Sequence, residues 1–200
     1  MKMRIGLPQR SFCSSGQSIV EFSIILPLVL VLVLGVVEFS WELLDLHVVT
    51  KLTREGSNLI SRDTGLQAAG TALASMSSRP VDFSNGSKMI FSVIKTGVTT
   101  GTSNFNKQIL YQRYEYGSLT SAQAPGALKI SGSGSFPPPE YQAVNADGNT
   151  GLQLTNLPAS LVGTPGMIYV TEIYTKHVLI TPWDRFGFKL PETLYSIAYF

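Results

Sequence analysis

Glu21 is a carboxylate one helical turn into the most apolar stretch of the chain. The sixteen residues that follow, Phe22–Val37, carry no charged side chain. Within a membrane helix such a group costs about 2.5–3.5 kcal/mol if it reaches the centre, so it needs a partner. Upstream lies a basic, acid-free segment with Lys2, Arg4 and Arg10, ending in Gly16. A secretory signal places its apolar core before the cleavage site. Here the candidate junction, Gly16-Gln17, precedes that core, so cutting there keeps the apolar helix on the mature chain. The cut would free the α-amino group of Gln17 and make Glu21 the fifth mature residue. Glu21 could then meet its own amine across i to i+4, or the amine of a neighbouring subunit. In the second case an unpaired buried charge drives association.

A competing reading is a plain signal anchor or signal peptide, with Val33-Leu34-Gly35 offering a cut after Gly35. It leaves Gly16, Glu21 and the basic leader as accidents. Pro27 reads either as a kink tolerated in a membrane helix or as a bend used in helix packing. Gly35 joins it as a packing position, and Glu38 marks the outer end of the apolar run.

No arrangement of residues points to catalysis, and the sequence reading is of a protein that is not an enzyme. His47 and His177 lie far apart and outside any ligand-spaced cluster. The chain has no nucleophile elbow, zinc-protease motif or phosphate-cradling glycine loop. Asn145–Asn149 resembles a calcium loop superficially, but Thr150 and Asn156 stand where the EF-hand needs Gly and Glu. A polar turn is expected there, with no metal and no cofactor. Glu172, in an apolar strand, is expected to pair with Lys176 or with a neighbouring strand. Tyr111, Tyr114, Tyr116, Tyr195 and Tyr199 are expected to pack on the sheet.

The elements that position these residues fall into regions. Residues 1–16 form a basic leader broken by Gly6 and Pro8. Residues 17–62 read as one long helix, membrane-spanning over about 18–39, with the leader kept cytoplasmic by the positive-inside rule. Beyond it, Trp41, Leu44, Val48, Leu52 and Leu59 recur near helical spacing and form the expected packing stripe. Gly65 is suited to a left-handed helix cap. A second, Ala-rich helix covers Leu66–Ser77. From Val81 onward strands are predicted over Lys88–Lys95, Ile109–Tyr116, Met167–Ile180 and Leu194–Phe200. A Gly/Ser/Pro-rich stretch between Gly117 and Gly166 holds short strands near Ala127–Ile130 and Leu152–Thr155. The fold class is α+β: a long N-terminal helix on a small antiparallel sheet, with a short second helix, residues 63–200 forming the exported domain.

Composition bounds the partners. The formal charge of +2 belongs to the leader, because residues 17–200 hold 12 basic and 13 acidic side chains. A basic patch for nucleic acid is therefore not expected. The single cysteine, Cys13, lies in the leader and has no apolar run before it, which argues against lipidation. Without it the mature chain has no disulfide and no thiolate metal site.

Residues 16–39, GQSIVEFSIILPLVLVLVLGVVEF, are similar to the N-terminus of TadE/TadF pseudopilins, minor components of Flp (Tad) type IVb pilus systems. The matching positions are Gly16, Val20-Glu21-Phe22, Leu26-Pro27, Gly35 and Glu38. Thr53-Arg54-Glu55-Gly56 resembles a small, Arg-containing segment of the same helix, and Tyr169–Tyr174 resembles a late strand of such domains. Ser23 departs from the family's usual alanine. The resemblance implies cleavage after Gly16 by an inner-membrane prepilin peptidase, and a part for Glu21 in processing or assembly. Its implied partners are other pilins and pseudopilins, the Tad inner-membrane assembly platform and membrane lipid. The domain is then periplasmic, or carried into an extracellular pilus. The alternative is a single-pass anchored surface protein whose domain binds a partner independently of any filament.

Overall fold

A computed structural model describes residues 14–158, 161–181, 187 and 192–200. The leader's expected breaks at Gly6 and Pro8, and Cys13, lie outside the described residues. Two helices and four strands are present: α1 (Ser14–Ile60), α2 (Leu66–Met76), β1 (Ser87–Thr96), β2 (Gln108–Gly117), β3 (Met167–Lys176) and β4 (Thr193–Tyr199). The α+β class expected from the sequence is the one observed. The chain divides into two compact units, residues 1–40 and 41–200, with the boundary inside α1.

In the second unit the strands form one sheet in the order β2-β1-β3-β4, antiparallel throughout. β1 is central and buried along almost its whole length. Strand side chains alternate between faces, so β1 must be covered twice. On one face Met89, Phe91, Val93, Tyr114 and Ile173 pack with Val49, Leu52 and Ile60 of α1 and with Leu66, Ala69 and Leu73 of α2. On the other, Ile94, Leu110 and Val170 are covered by Leu128 and Val162, and Ile90 and Tyr174 by Leu119 and Ala124. These covering residues come from the Gly/Ser/Pro-rich connection between β2 and β3, which acts as the sheet's second layer.

The structure corrects several expectations. Residues 127–130 and 152–155 meet through an isolated bridge, Ile130 to Leu154, Gln153 makes another to Ile109 of β2, and a short 3₁₀ turn occupies Thr150–Leu152. Apolar side chains there serve the layer contact, and the ladder is too short to count as strands. The strand expected to reach Ile180 stops at Lys176. Gly65 is not a left-handed cap: it has φ −53° and precedes α2. Asp63 takes the left-handed position at φ 61°, which a short polar side chain tolerates.

The packing face of α1 keeps Leu52 and Leu59 of the expected stripe and departs from it at Trp41 and Leu44. Trp41 and Leu44 are exposed, whereas Val49, Thr53, Ser57 and Ile60 are buried. Small residues win here because they let the helix axis approach the sheet. A Cβ built on Gly56 would lie 2.8 Å from Cγ2 of Thr171, and 3.1 Å from both Cδ2 of Leu73 and Cε1 of Phe91. Ser57 Oγ donates to the carbonyl of Ala198 in β4 at 3.0 Å, and Thr53 Oγ1 turns back onto Val49 O.

On the covered far face, buried Lys88 meets Glu115 at 2.6 Å, and Arg113 Nε lies 2.7 Å from the same carboxylate. Burial by itself raises the Glu115 acid, but the hydrogen bond from Lys88 and the charge of Arg113 together hold it below the usual range. A depressed carboxylate contributes stability that is present above its unfolded pKa, about 4.3, and is lost as pH falls through the folded value. Glu115→Gln should therefore cost about 1 kcal/mol at neutral pH, a figure discounted for the partial exposure of Glu115. The difference from wild type should vanish in acid below the folded pKa. Urea melts across pH 2–7 would show it, and a gap that persists at the acid end would contradict the assignment.

Candidate functional site

The first unit is a helix whose apolar side chains face outward: Phe22, Leu28, Leu32 and Val36 are all more than half exposed. It is long and apolar enough to cross a membrane, with mean hydropathy 2.8 in its best window. Helical exposure of this kind is costly in water and favourable in lipid, so the helix is a candidate membrane anchor.

The sequence-predicted residues sit along it as follows. Gly16 lies in the first turn, since the helix begins at Ser14, and a Cβ built there would meet nothing within 4 Å. The backbone at the candidate junction is open on the side-chain side. Gln17 and Glu21 come together: Gln17 Nε2 donates to Glu21 Oε1 at 2.9 Å. That is the i to i+4 reach expected between position 17 and the carboxylate, made here by the side-chain amide. Pro27 is inside α1, which continues through it. Its missing N–H leaves the Ser23 carbonyl without the usual helical donor, while Ser23 Oγ bonds the Ile19 carbonyl at 2.7 Å. Gly35 lies two turns further on, and Glu38 two residues before the unit ends. The structure brings together only Gln17 and Glu21 of this set.

Residues 16–58 match the model of the TadE-like protein family. Over that range the chain is similar to TadE-like proteins. The matched range begins at the candidate junction and includes Glu21, Pro27, Gly35, Glu38 and the Thr53–Gly56 segment. The match agrees with the N-terminal resemblance read from the sequence. No curated protein and no solved structure matches the chain.

The TadE-like segment also explains one feature that hydrophobicity alone obscured. Thr53 and Gly56 are buried against the sheet while Arg54 is exposed and Glu55 half-buried, so the segment is a close-approach seat. Its signal was the run of small residues Thr53, Gly56 and Ser57 at helical spacing between Val49 and Ile60.

Two further polar groups of the second unit were not foreseen in this form. Glu172 is fully buried, but its partner is not Lys176, which is exposed at the end of β3. Glu172 Oε2 accepts from the Ala127 backbone N–H at 2.6 Å, the Tyr174 hydroxyl at 3.1 Å and the Tyr195 hydroxyl at 3.4 Å. The far-face layer is thereby strapped to the sheet through a carboxylate. Burial, and then the negative charge of Glu172, push the hydroxyls of Tyr174 and Tyr195 far above the ordinary phenol range, so both stay donors at any physiological pH. His177, expected as a strand histidine, lies just past β3. Its Nδ1 is 3.0 Å from Asp45 Oδ2, linking the end of β3 to α1. Sequence offered no signal for a pair 132 positions apart. His47 is exposed on the helix.

Proposed function

We propose that this chain is a minor pseudopilin of a Flp-type (type IVb) Tad pilus. Prepilin peptidase removes Met1–Gly16 on the cytoplasmic side of the inner membrane, and the helix from Gln17 remains in the bilayer. The domain stands in the periplasm, from which it can enter the pilus. Glu21 pairs with the freed amine of Gln17, its own or a neighbour's, and draws the helix into a bundle with other pilins and pseudopilins on the inner-membrane assembly platform. The role is priming, regulating or tipping assembly, and not catalysis. Pro27 and Gly35 serve helix packing.

The observation that carries this reading is the TadE-like match starting at Gly16, with Glu21 already within hydrogen-bond reach of residue 17. N-terminal sequencing of the protein purified from membranes tests it. The expected start is Gln17, and Gly16→Leu should leave the leader attached, since a branched side chain occupies the position the peptidase reads. A wild-type chain starting at Met1 or Val36 would sink the proposal.

A further inference from the structure

The second unit exposes an apolar patch where β3 ends. Lys176 closes the strand, and His177 is held by the Asp45 carboxylate at 3.0 Å and by its N–H to the Glu192 carbonyl at 2.9 Å. The chain then presents Val178-Leu179-Ile180, of which Val178 is 73% and Ile180 54% exposed. Beside them stands Trp41, 46% exposed. The four side chains share a shallow cleft of about 290 Å³ with Arg79 and Lys176 at its margin. Two exposed aliphatic residues around the half-buried Leu179, beside an exposed tryptophan, are a feature that a water-facing surface selects against.

We propose that this patch rests in the headgroup region of the phospholipid bilayer that takes the apolar helix, giving the second unit its own reversible contact with the membrane. The inference rests on the membrane reading of residues 18–39. Three features choose lipid over another occupant. Trp41 follows within four residues of the end of the charge-free run at Val37, so chain connectivity keeps the patch near the bilayer surface. A tryptophan with exposed aliphatics is the composition that favours the membrane interface, where apolar side chains settle about 5–10 Å into the headgroup boundary. Arg79 and Lys176, both exposed, offer cations to lipid phosphates. Asp45 also lines the cleft, its carboxylate 3.0 Å from His177 Nδ1, so two cations stand there against one acid.

The test uses the full-length chain with its one cysteine removed (Cys13→Ser), reconstituted in vesicles of phosphatidylethanolamine with a minority of phosphatidylglycerol. An environment-sensitive fluorophore is placed by Val178→Cys, by Val144→Cys as a solvent-exposed control, and by Leu30→Cys as a membrane control. Lipids carrying a quencher near the headgroup or deep in the acyl chain are compared. The expected result is several-fold stronger quenching at 178 than at 144, greater with the shallow quencher, while 30 responds to the deep one. Quenching at 30 with 178 behaving like 144 overturns this inference and leaves the anchor reading standing. Absence of quenching at both 30 and 178 overturns both. Shielding at 178 that depends on protein concentration and not on quencher lipids assigns the patch to a second copy and overturns the lipid contact. Arg79→Glu with Lys176→Glu should reduce quenching at 178 and not at 30; unchanged quenching at 178 overturns the phosphate contact.

Discussion

A chain carrying Glu21→Ala should insert into the membrane at least as well as wild type and be lost from purified pili. The two outcomes separate because the carboxylate opposes insertion and favours association. Glu21 sits one turn into a helix whose next sixteen side chains are uncharged. Leaving it unpaired in lipid costs on the order of 1–3 kcal/mol. Relieving that cost by pairing with an amine in a bundle favours assembly by roughly ten- to a hundredfold. Alanine removes both the cost and the drive. Glu21→Gln is the sharper variant, because the hydrogen bond from the Gln17 side chain can persist while the charge is gone. It should behave like alanine if ion pairing is the drive. The measurement is the fraction of the protein recovered with sheared pili against the fraction left in membranes. Equal recovery of wild type and both variants would refute the assembly role.

Gly56→Leu should destabilise the second unit by about 3 kcal/mol, the upper end of ordinary overpacking. At position 56 even a Cβ meets three atoms at 2.8–3.1 Å, from Thr171, Leu73 and Phe91. Thr171 and Phe91 are wholly buried in β3 and β1, so neither can swing aside. Gly56→Ala is the informative control. It gains about 1 kcal/mol of helix propensity and meets a clash of similar size, so it should stay within about 1 kcal/mol of wild type. Thermal melts in detergent followed by circular dichroism should place the leucine variant roughly 6–12 °C below wild type. A leucine variant as stable as alanine would mean that α1 does not seat this closely.

Legibility in the sequence followed the physics of each element. α1, α2 and the strands were readable because each has a strong period or a dense β-branched and aromatic run. The N-terminal constellation was readable because a charge in an apolar field has few innocent explanations. The buried face of α1 is only partly visible in the spacing of large apolar residues, since Leu52 and Leu59 pack on the sheet but the earliest residues of the stripe do not. Trp41 and Leu44 face outward, and the real contact uses Thr53, Gly56 and Ser57, whose value is small size. Glu172 looked like half of an ion pair because strand spacing put Lys176 on its face. Its true donors come from the covering layer at Ala127, from its own strand at Tyr174 and from β4 at Tyr195, and only the fold brings these together. The layer itself was hidden in a Gly/Ser/Pro-rich stretch, where apolar residues such as Leu119, Leu128 and Val162 are too scattered to show a period.

The hydroxyl of Ser57 reaches the carbonyl of Ala198 across 141 positions, and β4 pairs only with β3. The seat of α1 on this sheet therefore lacks its Ser57 contact until residue 198 is in place. The rest of that face, Val49, Leu52 and Ile60, packs on β1, β3 and α2 and does not wait for β4, while the Ser57 contact, of such sequence separation, is slow to close. A truncation ahead of Thr193 should leave Ser57 without its Ala198 acceptor and β3 as a bare edge, a species prone to wrong pairings. The last strand of the chain thus closes two things at once, a hydrogen bond to the first helix and an open edge of the sheet.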